Sequence, residues 1–291
     1  MTLQAPMRCS AVAERLDEPM IGSVDHRVRW LVVEDRSAWG AEAVNDVLGS
    51  DFAAVAKGRG VRVLLARRRE GDPAADAVRR VMLVDTVTRE MAIRTVTGSS
   101  ELTMDAIVDA PIAAFGDTMH DPIFLVCTNG KRDACCALRG RALVGALAAD
   151  HAERVWECTH LGGHRFAGNL VCLPDGIVYG RVTAADGPRL ADAYLAGRLD
   201  PSLLRGRSAW PAPAQVAEQH LRLRLDLAGI GDLRLAAVEM DAARAVVTLA
   251  TPDGVAHRFD LVAEPSEPPR SISCRAEEPE QPLHWRVVGA G

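Results

Sequence analysis

Cysteine and histidine residues crowd into the centre of this chain. Four of its seven cysteines, Cys127, Cys135, Cys136 and Cys158, fall within one short central stretch. An odd and sparse set of cysteines does not build a disulfide scaffold, and a cytosolic compartment keeps thiols reduced. The crowding therefore indicates metal or redox chemistry rather than structural disulfides.

Two segments place thiols and imidazoles where they can act together. Cys127 ends an apolar run typical of a buried strand, and Cys136 opens the helix that follows, where the helix amino terminus lowers a thiol pKa. Downstream, His160 and His164 flank a Gly-Gly pair that lets the backbone bend around a bound group. We expect strand, helix and strand to pack so that two thiols and two imidazoles come together.

A donor set of two cysteines and two histidines suits more than one metal centre. It is compatible with tetrahedral zinc and with a [2Fe–2S] cluster in which imidazoles bind one iron. The His-x₃-His spacing occurs in zinc fingers, whereas Cys-x₈-Cys is wider than the spacing of about two to four residues usual there. The order Cys, Cys, His, His also differs from a Rieske site, which takes one of each from two loops. Spacing alone leaves the type of centre open.

The elements that must position these residues follow one order twice. Apolar runs and helical spacing predict strand, helix, strand and hairpin in the first half, at residues 29–34, 41–57, 61–66, 81–85 and 91–96. The same order is predicted in the second half, at residues 122–127, 135–149, 155–158, 169–173 and 177–182. This order is typical of a thioredoxin-like unit.

Further elements are predicted outside this repeated order. Helices are expected at residues 188–196 and 214–226, and alternating apolar residues from Leu233 onward predict about three antiparallel strands. Residues 264–282 are rich in Pro, Glu and Ser, which predicts a surface loop or a poorly ordered segment.

These patterns predict an α/β fold with two tandem thioredoxin-like units and a small carboxy-terminal β-rich extension. Each unit is expected to be a mixed sheet flanked by helices. The predicted domains are residues 1–115, a unit without the clustered thiols and imidazoles; 116–213, the unit that contains them; and 214–291, a helix with a small sheet and a loop.

Composition excludes several classes of partner. The formal net charge is −5, from 34 basic and 39 acidic residues, which argues against a general binder of nucleic-acid phosphates. No apolar run approaches the roughly 20 residues of a membrane span, and residues 1–10 lack the apolar core of a secretory signal. We therefore predict a cytoplasmic protein with neither a nucleic acid nor a membrane as partner.

The central motifs resemble the sucrase/ferredoxin-like family, the thioredoxin-like ferredoxins. The resemblance rests on Arg132-Asp133-Ala134-Cys135-Cys136 and on the segment from His160 to Asn169. Segments near Cys9, at residues 18–23, 30–34 and 38–40, and at residues 215–218 are also similar, so the resemblance spans roughly residues 9–225.

The resemblance implies a [2Fe–2S] cluster with Cys127, Cys136, His160 and His164 as its ligands. Relatives often carry a basic residue before the second cysteine ligand, and this chain has Cys135 there. Cys135 is therefore an alternative ligand, but Cys136 keeps the Arg-Asp-x-x-Cys register.

The resemblance further implies an electron carrier rather than a substrate-converting enzyme, with no catalytic residue of its own. Two neutral imidazoles in place of two thiolates raise the reduction potential of a cluster, and an outer imidazole N–H allows coupling to proton transfer. We expect a redox partner protein, either a reductase or an electron acceptor. Lys131, Arg132 and Arg165 are expected to dock an acidic partner or to tune the potential.

Other functions compete with this interpretation. The clustered cysteines are compatible with a thiol oxidoreductase that uses Cys135 with Cys136 or Cys158, although a Cys-x-x-Cys motif is absent. A zinc-stabilised interaction module is a second alternative. A sucrose-cleaving hydrolase, suggested by the family's name, needs two carboxylates at a defined separation, and the sequence identifies no such pair.

The remaining cysteines are expected to be structural. We predict core positions for Cys9, Cys172, Cys274 and Cys158. If Cys135 is not a ligand, we expect its thiol on the solvent side.

Overall fold

The computed structural model describes residues 8–68 and 78–291. Residues 1–7 of the segment in which no secretory signal is predicted, and residues 69–77 of the predicted first domain, lie outside these ranges. In the described ranges the α-helices are α1 (Cys9–Arg15), α2 (Ala43–Leu48), α3 (Ser50–Gly58), α4 (Met104–Val108), α5 (Ala134–His151), α6 (Asp186–Leu195) and α7 (Ala212–Leu225).

The strands form one large mixed sheet and one small antiparallel sheet. The ten-stranded sheet contains β1 (Arg29–Glu34), β2 (Arg62–Arg67), β3 (Arg79–Asp85), β4 (Glu90–Val96), β5 (Asp117–Thr118), β6 (Ile123–Cys127), β7 (Val155–Cys158), β8 (Leu170–Leu173), β9 (Ile177–Tyr179) and β10 (Leu204–Arg207). The four-stranded sheet contains β11 (Arg234–Met240), β12 (Arg244–Ala250), β13 (Ala256–Pro265) and β14 (Leu283–Ala290).

The two halves of the large sheet repeat one strand order, as the sequence pattern predicts. In the first half β1 pairs in parallel with β2 and antiparallel with β3, and β3 pairs antiparallel with β4. In the second half β6 has the same relation to β7 and β8, and β8 pairs antiparallel with β9. Helices α2 and α3 connect the parallel pair of the first half, and α5 connects that of the second.

The halves are joined both through the sheet and through a core. Strands β2 and β7 pair antiparallel, with Ala66 opposite Cys158, which makes the sheet continuous. Apolar side chains of both halves, among them Trp30, Leu125 and Trp156, pack into one shared cluster on one face. The boundaries at residues 115 and 213 stay a prediction, since strand pairing crosses the first of them.

Helix α5 is the central helix of the second half. Asp133 caps its start by accepting a hydrogen bond from the Cys135 N–H at 2.9 Å, and Leu143 and Leu147 pack into the core over β6 and β8. Among the helices of the two described ranges, none has both the length and the apolarity that crossing a membrane requires.

The structure corrects three predicted elements. The helix expected over residues 41–57 is broken between α2 and α3 at Gly49, whose φ of +90° lies outside helical space. The carboxy-terminal sheet has four strands rather than three, because β14 pairs along β13. The segment 264–282 is a surface loop as predicted, but β13 extends into it as far as Pro265, and the buried Arg270 anchors it by donating to Glu18 at 2.8 Å.

Candidate metal centre

Cys127 and Cys136 meet where strand β6 ends and helix α5 begins. Cys127 is the last residue of β6, and Cys136 lies in the first turn of α5. One turn later, Gly140 lies against the Cys127 carbonyl, and a Cβ atom there would lie 2.1 Å from that oxygen. The absence of a side chain at Gly140 therefore lets the helix approach the end of the strand.

The two buried thiols differ in acidity. The neighbouring Cys136 lowers the pKa of Cys127, and the backbone N–H groups of Leu161 and Asn129 lower it further. The proximity of Cys127, together with burial, raises the pKa of Cys136. Cys127 is therefore the more readily ionised of the two thiols, and metal binding requires the thiolate form of a cysteine.

His160 and His164 form a stacked imidazole pair beside the thiols. Their ring centroids are 3.9 Å apart with an interplanar angle of 13°, and Nδ1 of His164 is 3.7 Å from Sγ of Cys136. Burial lowers the pKa of His160 to about 2 and that of His164 to about 4. Both rings are therefore neutral near pH 7, the protonation state in which histidine binds metals.

A buried arginine holds the loop that carries the histidines. The Arg205 guanidinium donates to the Gly162 carbonyl at 3.1 Å and to Oδ1 of Asn169 at 2.7 Å. Asn169 in turn donates to the Gly163 carbonyl at 3.1 Å. Burial lowers the pKa of Arg205 to about 9. Sequence reasoning missed Arg205, because all these partners are more than 30 residues away along the chain.

The site opens to solvent beside His160. Arg62 donates a hydrogen bond of 2.6 Å to the His160 carbonyl from the wall of a cleft of about 350 Å³. The cleft is lined by four basic residues, Arg27, Lys57, Arg62 and Arg132, and by two acidic ones, Asp25 and Glu42, so positive charge is in excess. His160 therefore lies between the buried thiols and the solvent.

Cys135 points away from this centre, although it is adjacent to Cys136. Its Sγ lies 3.6 Å from that of Cys9 and 3.3 Å from that of Cys274, and its hydrogen bond with Cys9 is the main cause that lowers its pKa to about 5. The expectation of a solvent-side thiol is wrong, because Cys135 is only 1% exposed. Of the adjacent pair, Cys136 contacts a predicted histidine ligand.

The other predicted residues divide between core and surface. Cys158 and Cys172 are fully buried, which confirms their predicted core positions. Cys9 is also buried, but Cys274 is exposed, so its predicted core position is wrong. Both belong to a group of thiols that sequence reasoning missed, because local spacing carries no signal of contacts between residues so far apart.

The predicted basic residues around the centre also differ in their surroundings. Lys131 is exposed, and Arg132 forms an ion pair with Glu42 at the surface. Arg165 instead donates to the buried carboxylate of Glu18 at 2.7 Å. This contact corrects the expectation that Arg165 helps to form a docking surface, because its charge is already paired inside the protein.

Parts of this chain are similar to known proteins. Two curated relatives match, both named Altered inheritance of mitochondria protein 32. The one from Meyerozyma guilliermondii is 31% identical over 86 residues, 26% of this chain and 30% of that protein. The one from Eremothecium gossypii is 32% identical over 106 residues, 31% of this chain and 34% of that protein.

The matched segments thus span about a third of each curated relative. No solved structure matches the chain. The family model described as Sucrase/ferredoxin-like matches residues 20–206, which include Cys127, Cys136, His160 and His164. This match covers more than half of the chain, which therefore belongs to the sucrase/ferredoxin-like family.

Proposed function

We propose that this protein transfers electrons through a [2Fe–2S] cluster bound by Cys127, Cys136, His160 and His164. The observation that carries the proposal is the contact of the buried Cys136 thiol with the His164 imidazole, whose ring stacks on that of His160. Cys127 ends the strand beside this group, and Cys136 lowers its pKa. Two thiols and two neutral imidazoles have the donor chemistry of a mixed-ligand cluster.

The spread of the donors favours a cluster over a single zinc ion. A tetrahedral ion needs all its ligand atoms around one point. Within the described residues, the group whose ligand atoms all lie within 4.8 Å of one another is Cys9, Asp133, Cys135 and Cys274. Among the described residues, the four donors proposed for the cluster do not form such a compact group, as suits two irons that each take their own ligands.

We further propose that each half of the large sheet is a thioredoxin-like unit. The repeated strand order supports this assignment, as do the helices α4 and α6 that follow the two hairpins. The strand end that corresponds to Cys127 in the first unit is Glu34, which forms ion pairs with Arg36 and Arg80. We therefore assign the cluster to the second unit and a scaffolding role to the first.

A bound cluster would supply one-electron transfer, and the surrounding residues provide its exchange with a partner. We propose that a reductase or an electron acceptor with an acidic surface docks at the cleft beside His160. Arg62 pairs with Asp25 and Arg132 with Glu42 there, and Arg27 and Lys57 give the cleft its excess of positive charge. A cytoplasmic location, with neither nucleic acid nor membrane as partner, belongs to the same proposal. His160 borders the cleft and is placed to exchange a proton with solvent, so we expect a midpoint potential that falls as pH rises.

Metal analysis of anaerobically purified protein tests the proposal. We expect about two irons per chain and a red-brown colour with visible charge-transfer bands. Cys136→Ser should lose the iron, whereas the matched variant Cys135→Ser of the adjacent residue should keep it. Iron retained in Cys136→Ser and lost in Cys135→Ser would assign the ligand to Cys135 instead.

Two results would contradict the cluster itself. Colourless protein with a zinc ion that is lost in Cys136→Ser would favour the zinc-stabilised module. Metal-free protein that reduces disulfides would favour the thiol oxidoreductase.

A further inference from the structure

Three thiols and one carboxylate converge at the start of helix α5, apart from the thiols that face the histidines. The Sγ atoms of Cys9, Cys135 and Cys274 form a triangle with sides of 3.6, 3.3 and 3.5 Å. The oxygens of Asp133 lie 3.8 and 4.0 Å from Sγ of Cys9. One ligand atom from each of the four residues lies within 4.8 Å of all the others.

These residues come from three remote segments of the chain. Cys9 begins α1, Cys135 follows the first residue of α5, and Cys274 lies in the loop between β13 and β14. Cys9 and Cys274 lie outside residues 20–206, the part that matches the family model. The family's central motif therefore does not account for their convergence.

The spacing of the sulfur atoms matches one tetrahedral ion better than a disulfide. A disulfide bond joins sulfurs at about 2.05 Å, and three thiols cannot all be paired by such bonds. Zinc–sulfur bonds of about 2.3 Å in a tetrahedron place sulfurs about 3.8 Å apart. The observed separations of 3.3 to 3.6 Å differ from that value by a few tenths of an ångström.

The fourth donor is held in place by hydrogen bonds from the same segments. Asp133 accepts from the N–H of Cys135 at 2.9 Å, from the N–H of Cys274 at 2.8 Å, and from the Ser273 hydroxyl at 3.1 Å. Such outer contacts fix the orientation of a ligating carboxylate. Asp133 is buried and Cys274 is exposed, so an ion can reach the group from the solvent side.

We propose that Cys9, Cys135, Cys274 and Asp133 bind one zinc ion that ties α1 and the 266–282 loop to the start of α5. Zinc binds both cysteine sulfur and carboxylate oxygen, and four such donors complete a tetrahedral site. The site has no ligand in common with the proposed cluster, because α5 contributes Cys135 to the one and Cys136 to the other. The two sites are neighbours, since Oδ2 of Asp133 lies 4.0 Å from Nδ1 of His164.

Element-specific metal analysis and zinc-edge X-ray absorption of the full chain test this site. We expect about one zinc per chain, with three sulfur neighbours at about 2.3 Å. Cys274→Ser should weaken zinc binding by more than the roughly 10- to 100-fold that loss of an outer contact costs, and it should leave the iron content unchanged. Cys136→Ser should show the reverse pattern, with iron lost and zinc kept.

Comparison of Cys274→Ser with Cys136→Ser distinguishes failure of the zinc proposal from failure of the cluster proposal. Zinc content that is equal in wild type and Cys274→Ser would overturn the proposal, as would wild-type protein that binds no zinc when Zn²⁺ is added under reducing conditions. The proposal would also be overturned if Cys274→Ser lost iron, or if anaerobically prepared protein contained a disulfide between Cys135 and Cys274. Cys9→Ser provides a second variant, for which we expect the same loss of zinc.

Discussion

At the scale of single residues, the charge of the ligands is the property with the clearest functional consequence. His164 faces the Cys136 thiol through Nδ1, and burial keeps its ring neutral. His164→Cys would exchange a neutral donor for a thiolate and so add one negative charge to the proposed cluster. We expect the variant to keep its iron and its midpoint potential to fall toward the about −400 mV of all-cysteine plant-type ferredoxins.

Protein-film voltammetry measures this shift directly. His220→Cys, at an exposed position of α7, is the matched control and should leave the potential unchanged. A potential unaltered in His164→Cys would remove His164 from the ligand set.

The proximity of Cys136, His160 and His164 could be predicted because their positions follow from local pattern, whereas their assignment as cluster ligands comes from the family resemblance. A cysteine at the end of an apolar strand, another at the start of the next helix, and two histidines after the next strand must meet if the three elements pack. The contacts of Arg205 and the convergence of Cys9 and Cys274 with Cys135 could not be predicted in this way. Their partners depend on tertiary contacts between segments as far apart as residues 9 and 274.

At the scale of elements, the close packing of α5 against the end of β6 determines how the two thiols are positioned. Gly140→Ala would place a methyl group 2.1 Å from the Cys127 carbonyl oxygen, so the helix must move away from the strand end. We expect the free energy of unfolding to fall by about 1 to 3 kcal/mol, together with weaker retention of iron. Chemical denaturation and iron analysis measure the two effects.

Gly58, at the end of α3, provides the control for this substitution. A Cβ atom at Gly58 meets nothing within 4 Å, so Gly58→Ala should be neutral or stabilising by up to about 1 kcal/mol. Equal effects at Gly58 and Gly140 would show that helix propensity, and not the contact with Cys127, is responsible.

Elements were predicted well where the apolar pattern is continuous and less well where glycine or proline interrupts it. Strand β1 has the predicted limits, because its residues are apolar and bounded by charge. The break between α2 and α3 was missed, because the apolar spacing continues across Gly49 although its backbone leaves the helix. Strand β14 was missed because only its pairing with β13 makes it a strand.

At the scale of the whole molecule, the repeated strand order could be predicted, but the way the halves join could not. Each half repeats one local pattern of strand, helix, strand and hairpin, which the sequence displays. The junction depends on the edges of β2 and β7, which lie about 90 residues apart and pair over Ala66–Cys158 and Arg67–Glu157. Hydrogen bonding between strand edges is made by the backbone, so side-chain patterns do not encode which edges meet.

A buried ion-pair network likewise connects distant parts of the molecule. Glu18, which follows α1, accepts from Arg165 beside His164 at 2.7 Å and from Arg270 of the 266–282 loop at 2.8 Å. Burial alone would raise the pKa of Glu18, but the two guanidinium groups outweigh it and hold that pKa below its ordinary value of 4.5. The carboxylate therefore stabilises the fold at any pH above 4.5, and this contribution is lost as pH falls through the lowered pKa.

Glu18→Gln tests this network, because it leaves the buried Arg270 and the partly buried Arg165 without a compensating charge. We expect the free energy of unfolding to fall by about 3 kcal/mol or more at pH 7, and the loss of stability below pH 4.5 to become shallower than in wild type. Denaturant titrations at pH 7, 5, 4 and 3 measure both effects. Glu14→Gln, which breaks a partly exposed pair with Arg139, should cost less than about 1 kcal/mol. Two outcomes would contradict this role of Glu18. One is an equal loss of stability in Glu18→Gln and Glu14→Gln, and the other is an acid sensitivity of Glu18→Gln equal to that of the wild type. Either result would show that Glu18 does not couple the amino terminus, the histidine loop and the carboxy-terminal loop.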